Sequence, residues 1–484
     1  MKKIKELLSG LNYEVINEVN YESNIHNIYV DSREVTNNSM FICITGEHHD
    51  GHNYASQAVK NGAVVLVVEK EVDIDVSQIL VKNTKKAISK IAANYYNNPS
   101  KQMNVIGITG TNGKTTTTYI IKHIFDFVGQ RAGLIGTIGV NDGEQTITAS
   151  LTTPQPLEIH KYFYKMYKNT CKHVVMEVSS HALALSRVDD VDFNIVALTN
   201  ISQDHLDYHK NMEEYIKAKT KLFKMANSWA IINHDEIEHK KFAKNTDVDI
   251  LYYSCKKAIN DGLYAIINRA SGEGTDFTVF YENNTYNIKT DLVGKFNVYN
   301  ILLAIGIALK SDIEMIDIVN AVNSFKSVPG RFEKVNGINK FSVIVDYAHT
   351  PDALENVLKS AKSLTKNNLI VVFGCGGDRD KTKRPIMGKI AAQYGDFVIV
   401  TSDNPRTEDP KIIIEEIIRD IRDETYVKIE VDRKEAIKNA VMTANDGDII
   451  IIAGKGHETY QIIGNTKYDF DDRLVAKNIY GEVK

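Results

Sequence analysis

Six short runs rich in valine and isoleucine constrain this chain more than any other feature: AVVLVV (63–68), VVMEV (174–178), IVALTN (195–200), LIVVFG (369–374), FVIVT (397–401) and IIIIAG (449–454). Each is continuously apolar rather than alternating, ends in glycine or polar residues, and precedes sequence of helical period. A strand apolar on both faces must be covered on both faces, which parallel sheets flanked by helices achieve. The predicted class is α/β. Ligands in such sheets bind beyond the carboxyl ends of the strands. Chemistry is therefore expected in SSH after the second run, SQDH after the third, and CGGDRD, SDNPR and GKGHE after the last three.

A further strand end stands earlier in the chain. GITGTNGKTTTT (107–118) follows Val105 and Ile106. A glycine-rich turn between a strand and a helix aims backbone N–H groups inward, and the helix N-terminus adds partial positive charge for a phosphate. Lys114 is then expected on the outer phosphates and the Thr115 hydroxyl on Mg2+. The spacing is GxxGxxGK[ST], with five residues rather than four between Gly107 and Gly113. A plain glycine turn with a surface lysine is the alternative, and the preceding strand and the threonine-rich helix start argue against it.

A length of 484 residues suggests about three domains. Boundaries are expected at NNPSKQMN (97–104) and near SVPGRFE (327–333), giving 1–98, 99–330 and 331–484. The formal charge of −4, with 25% charged residues, supplies no global basic field, so nucleic acid is not expected as a partner. Cys43, Cys171, Cys255 and Cys375 are far apart and form no CxxC pair, which indicates neither a zinc site nor a disulfide framework. The start, MKKIKELLSG, has no sustained apolar run behind it, and no stretch is long enough to cross a bilayer. A cytoplasmic protein, and a monomer, is expected.

In the middle region Glu177 and His205 close two successive strand-like runs, and both would face the phosphate loop if those strands neighbour it. A carboxylate there can hold Mg2+, whereas a histidine is a less usual ligand for that ion. The alternatives are a helix cap for Glu177 and a hydrogen-bonded core histidine for His205. Winding 211–226 as a helix places Lys219 at the centre of an apolar stripe with Met212, Tyr215, Ile216, Leu222, Phe223 and Ala226, and puts Lys217 and Lys221 opposite. An unpaired buried ammonium is costly, and burial lowers a lysine's pKa. Lys219 must then be neutral, paired or changed to a carbamate able to support a metal; a snorkelling side chain is the alternative. In the last region Arg379, Asp403, Asn404, Arg406, Gly454, Lys455, His457 and Glu458 all fall at strand ends. Guanidinium, carboxylate and amide groups in one crevice suit a zwitterionic amino acid.

With these motifs in order, the chain resembles the Mur ligases over essentially its whole length, and among them those that add the third residue of the peptidoglycan stem peptide. The carrying segments are DSREVTNNSMFICITGEHHDGHNYASQAVKNGA (31–63), TGTNGKTT, TTPQP (152–156), MEVSSHAL (176–183), TNISQDHLDYH (199–209), AKTKLF (218–223), GKFNVYN (294–300), PGRFE, DYAHTPDALE (346–355), GGDRD, DNPR and GKGHE. The resemblance implies a uridine-nucleotide-binding first domain, a central P-loop ATPase domain and a C-terminal Rossmann-like domain that binds the amino acid. It implies that Ser32 contacts the uridine nucleotide and that Thr109, Gly110, Thr111, Asn112, Gly113, Lys114 and Thr115 cradle the phosphates of ATP. Asn297, Arg331 and Asp346 match positions near the adenosine and its phosphates; Thr152, Thr153, Ser179 and Arg187 match positions that hold the nucleotide-peptide. Lys219 matches a lysine carried as a carbamate, and Glu177 and His205 match metal-side residues. Leu185 departs from the glutamine of some relatives.

The implied reaction is amide formation between UDP-N-acetylmuramoyl-L-alanyl-D-glutamate and a diamino acid, driven by ATP with Mg2+ through an acyl phosphate. DNPR accompanies meso-diaminopimelate in the family, and lysine-adding relatives replace its arginine. Diaminopimelate carries a distal carboxylate that Arg379 and Arg406, with Asn404 and Pro405 in the same loop, can receive; Gly454 and Glu458 match the ammonium end, beside Asp403. The rival readings are the lysine-adding ligase, a folylpolyglutamate synthetase, and a guanine-nucleotide switch suggested by TKYD (466–469).

Overall fold

All six apolar runs become strands with parallel neighbours on both sides, distributed over three sheets. The computed structural model describes residues 1–46, 49–149, 151–271, 274–421 and 426–483. Residues 47 and 48 of the 31–63 segment lie outside them. The N-terminal sheet has five strands in the order Glu14–Ile16, Ser77–Leu80, Ala63–Val68, Ser39–Ile42, Asn27–Tyr29. The helix Thr84–Tyr95 follows it, started by the Asn83 side chain, which accepts from Lys86 N–H.

The central sheet has eleven strands. Asn104–Thr109, the approach to the glycine loop, lies between His173–Glu177 and Phe193–Leu198, so the two segments carrying Glu177 and His205 do flank it. Side-chain alternation sorts each strand between two cores: Ile106 and Ile108 face one, Val105 the other. The first core is sealed by Lys295–Leu309, a helix apolar all round and buried from Ile301 to Ala308, as such a helix must be. Three strands, Gly262–Ser271, Gly274–Tyr281 and Asn284–Thr290, extend this sheet with antiparallel pairing.

The C-terminal sheet runs Glu333–Lys334, Ser342–Asp346, Ile449–Ala453, Leu369–Phe373, Phe397–Val400, Tyr426–Ile429, parallel except for its first pair. Ile449 and Ile451 enter one core, Ile450 and Ile452 the other. Each such buried side chain contributes about 1.5–3 kcal/mol over an exposed one. A separate exposed hairpin, Tyr460–Ile463 with Thr466–Asp469, contains TKYD.

The expected helix over 211–226 is shorter than its apolar stripe. It runs Met212–Thr220, capped by Asn211, and tightens into a 3-10 turn over Lys221–Met225. The strand Ala226–Asn233 starts at once and pairs with Phe193–Leu198, so the chain must leave the helix axis there while Leu222 and Phe223 plug the core. Among the described residues, no helix is long and apolar enough to cross a membrane.

Candidate active site

Gly110 and Gly113 take φ of +142° and +83°, and a Cβ on them would lie 1.9 Å from Thr199 Oγ1 and 2.3 Å from Asn300 Oδ1. Only glycine fits either position. Thr109 ends the strand with its hydroxyl on Val178 O. Thr111 Oγ1 meets Tyr215 OH at 3.0 Å, and Asn112 N–H donates to Asn200 Oδ1 at 2.9 Å. The loop is thus tied down from outside, and its interior is left to cations. Lys114 Nζ turns back onto Gly110 O and Thr111 O at 2.9 and 2.8 Å. Burial lowers its pKa, opposed by the charges of Glu177 and Asp204.

Lys219 is 2% exposed, and its Nζ donates to the same Gly110 O at 2.8 Å and lies 4.6 Å from the Tyr215 ring centre. Burial first, and then the neighbouring Lys114 charge, push its pKa well below the usual lysine value. Its side chain does not snorkel. Lys217 is exposed and pairs with Glu214 at 3.2 Å.

Glu177 ends its strand buried, and its carboxylate collects Thr115 Oγ1 (3.1 Å), Thr137 N–H (2.8 Å) and Thr137 Oγ1 (3.1 Å). Arg331 Nη2 donates to Thr115 Oγ1 at 2.9 Å, and its guanidinium stacks on the Tyr347 ring at 4.5 Å. Asp346 accepts from Phe332 N–H and Ala348 N–H, at 2.6 and 2.7 Å, which holds the chain beside Arg331; burial raises its pKa. A cavity of about 400 Å³ opens here, lined by Gly113, Thr116, Lys295, Asn300, Arg331 and Asp346 among others. Asn297 is buried behind it, bonded to Val293 O and Asn300 Nδ2.

His205 lies beyond its strand, at a left-handed φ of +55° before a short helix, Leu206–His209. Its Nε2 is 3.3 Å from Asp204 Oδ2, and its ring is 4.7 Å from that of His181. Burial lowers its pKa, with the Asp204 charge opposing.

A larger cavity, about 1070 Å³, lies between the N-terminal sheet and the central one, walled by Tyr29, Val30, Tyr95, Tyr96, Arg187 and Tyr208 among others. Leu185 lines it as well, whereas Ser32 sits just behind the wall, buried, with its carbonyl taken by Asn61 Nδ2 at 2.8 Å. Arg187 Nη1 donates to Thr153 O at 3.0 Å, Thr153 Oγ1 to Glu177 O at 2.9 Å, and Ser179 N–H to Thr153 Oγ1 at 3.0 Å. Thr152 Oγ1 meets Thr137 Oγ1 at 3.1 Å. These four residues connect the large cavity to Glu177 and the phosphate loop.

Beyond the C-terminal sheet, Arg379 Nη1 donates to Asp378 O and Arg406 Nη1 to Gly377 O, both at 2.8 Å. Among the described residues no carboxylate forms an ion pair with either guanidinium. Burial, and then the charge of Arg406, lower the pKa of Arg379. Asp403 Oδ1 accepts from Asn404 N–H at 2.7 Å, but its Oδ2 is buried without a partner. Gly454, at φ +113°, makes room for that oxygen, since a Cβ there would approach it to 2.5 Å. Glu458 Oε2 is held by Asn404 Nδ2 (2.9 Å) and the fully buried Lys455 (3.0 Å). Pro405 carries the loop past Gly377, where a Cβ would lie 1.9 Å from Pro405 O. Two unpaired guanidiniums and one unpaired carboxylate oxygen match a ligand carrying carboxylate and ammonium.

Several contacts that sequence reasoning did not foresee hold the site and its regions together. Thr137 orients Glu177; it follows the strand Ala132–Ile135 and so carried the strand-end signal. Asn112 Nδ2 reaches Asp352 Oδ2 of the C-terminal region at 2.8 Å, and Gln203 Nε2 reaches Thr382 Oγ1 at 3.0 Å. Asp204 lies 3.9 Å from Lys383. No local pattern marks such long-range pairs.

Comparison with known proteins agrees along the chain. Family models described as "Mur ligase family, catalytic domain", "Mur ligase middle domain" and "Mur ligase, glutamate ligase domain" match residues 24–109, 108–308 and 330–456. The chain is 43% identical over 487 residues to the UDP-N-acetylmuramoyl-L-alanyl-D-glutamate--2,6-diaminopimelate ligase of Oceanobacillus iheyensis, with 98% of each chain covered. It is 45% identical over 459 residues to the protein of the same name from Aquifex aeolicus, with 94% of each covered. A solved structure of a ligase of that name superimposes with a TM-score of 0.70 at 30% identity, over 100% of this chain and 99% of the other.

Proposed function

The chain belongs to the Mur ligase family, and from that premise we propose that it is the ATP-dependent ligase that joins meso-2,6-diaminopimelate to UDP-N-acetylmuramoyl-L-alanyl-D-glutamate in peptidoglycan synthesis. The observation that carries the choice of amine is the pair Arg379 and Arg406, whose side chains bond only main-chain carbonyls, beside the partnerless Asp403 Oδ2. Lysine has no distal carboxylate to satisfy these guanidiniums. A folylpolyglutamate synthetase would need neither the DSR segment nor DNPR, and a nucleotide switch would form no amide.

The large cavity takes the nucleotide-peptide, with Arg187, Thr152, Thr153 and Ser179 along the route to the reacting end and Ser32 supporting the uridine side. The smaller cavity takes ATP, with Asn297, Arg331 and Asp346 beside it and residues 109–115 around its phosphates. Lys114 and the N–H groups of the first turn of the helix that begins at Lys114 stabilise negative charge that develops as the γ-phosphoryl group passes to the glutamyl carboxylate, since the N–H groups of Thr111 and Asn112 are taken by Asn200. The amine of the diamino acid then attacks the acyl phosphate and phosphate leaves. Holding the three reactants in line supplies much of the acceleration.

The oxygens of Thr115 and Glu177 suit magnesium, which prefers hard ligands and keeps several waters. His205 and Lys219, the latter as a carbamate, complete the residues that would hold it, and it would neutralise charge on the phosphates. The depressed pKa of Lys219 supports the carbamate, because a neutral amine adds carbon dioxide. We place the domains at 1–98, 99–330 and 331–484, and the working protein as a monomer in the cytoplasm. The sheets, which draw their strands from 14–80, 104–290 and 333–453, support that division.

The test is phosphate release and product mass with Mg-ATP and the nucleotide-peptide, with meso-diaminopimelate in one reaction and L-lysine in another. A product formed with diaminopimelate alone is expected. Product with lysine instead would overturn the arginine argument while leaving the ligase intact.

A further inference from the structure

The loop that carries Asp403 and Arg406 has two main-chain N–H bonds of its own, Asn404 N–H to Asp403 Oδ1 and Glu408 N–H to Pro405 O, and takes further support from neighbouring segments. Arg406 has a left-handed φ of +51°, an unfavourable conformation for a residue with a side chain. The hairpin strand Tyr460–Ile463 grips the loop from both ends. Gln461 Nε2 donates to Asp403 O at 2.7 Å, and Ile462 N–H donates to Asn404 Oδ1 at 2.9 Å. Arg406 N–H donates to Ile462 O at 3.2 Å, and Gly464 N–H donates to Arg406 O at 2.7 Å. Asn404 is 3% exposed and its amide is tied to three segments: Oδ1 accepts from Ile462 N–H and Lys455, and one Nδ2 hydrogen goes to Glu458.

We propose that the hairpin 460–469 is the specificity-determining support of the amino-acid crevice, with Gln461 as its positioning residue. Gln461 fixes the peptide after Asp403 and thereby the spacing between the Asp403 carboxylate and the Arg406 guanidinium. Those two groups must meet the ammonium and the distal carboxylate of one ligand together. The inference rests on the ligase reading above, and the wild type assayed first separates the two: a wild type that forms no amide overturns both.

Gln461→Ala and Gln461→Met are compared with wild type for KM toward each of the three substrates, with melting temperature as a check on folding. Methionine keeps the side-chain length but has no N–H. Both variants are expected to raise KM for the diamino acid about 5-fold, the size of one hydrogen bond, and to reduce the preference for diaminopimelate over lysine by a similar factor. KM for ATP and for the nucleotide-peptide stays unchanged. Wild-type KM in Gln461→Met, or an equal rise in KM for all three substrates, would overturn the proposal.

Discussion

At the phosphate loop two lysine side chains, Lys114 and Lys219, converge on one main-chain carbonyl, Gly110 O. In the amino-acid crevice two guanidiniums, Arg379 and Arg406, and the open oxygen of Asp403 follow the ends of two adjacent parallel strands. The first site is a backbone cradle at a helix N-terminus, with Lys114 and Arg331 beside it, suited to a polyanion. The second is assembled from side chains on separate strand ends and carries both signs, suited to a zwitterion. The same α/β principle, chemistry beyond the carboxyl ends of parallel strands, serves both. What differs is whether continuous chain or long-range packing sets the geometry.

The comparison can be broken most sharply at the cradle. Lys114→Ala is expected to reduce kcat for phosphate release by about 10²–10³, the usual effect of removing one group that stabilises transition-state charge; a loss confined to KM for ATP would assign it to binding alone. Lys219→Ala is expected to lose about 10²-fold, with partial recovery on adding a short carboxylic acid. Full activity without rescue would refute the metal-support role. At the other site, Arg406→Ala is expected to raise KM for diaminopimelate by about 10–100-fold, as for a lost charge-assisted bond, while KM for ATP holds. An equal effect on both would mean that the two sites are not separable.

The smallest effect concerns the scaffold beneath the crevice. Arg384 is fully buried and holds Glu408 at 2.9 Å, which lowers the Glu408 pKa to about 2. Glu408 in turn accepts from Asp378 N–H at 2.6 Å, next to Arg379. A carboxyl with a depressed folded-state pKa contributes stability that is fully present above its unfolded value, about 4.3, and is lost as pH falls through about 2. Glu408→Gln is therefore expected to cost about 1–3 kcal/mol near neutral pH. The melting-temperature gap from wild type should stay constant down to about pH 5 and narrow below about pH 4. A gap that widened in acid would reverse the sign of the linkage.

Much of the cradle was legible because its signals are contiguous. Glycines, lysine and threonines stand within twelve residues, 107–118, after an apolar strand. The burial of Lys219 was legible from helical period, although the helix ends at Thr220, because the turn that follows keeps Leu222 and Phe223 on the same core. The crevice was legible only as residue types at strand ends. Nothing local announced that Asn404 would bond Lys455, Ile462 and Glu458, or that Asp403 would keep one oxygen open. The contacts of Asn112 with Asp352 and of Gln203 with Thr382 likewise join residues far apart in the chain.

By itself, the sequence determined the α/β class, the nucleotide loop and the family, because continuous apolar runs and a glycine turn are properties of neighbouring residues. The tertiary structure alone decided which charges remain unpaired. That depends on whether a partner arrives from a distant segment, as Asn404 does for Glu458, or does not, as at Asp403 Oδ2. A buried polar atom must be satisfied by something, and where the fold supplies nothing, the ligand's own charge is the group that fits.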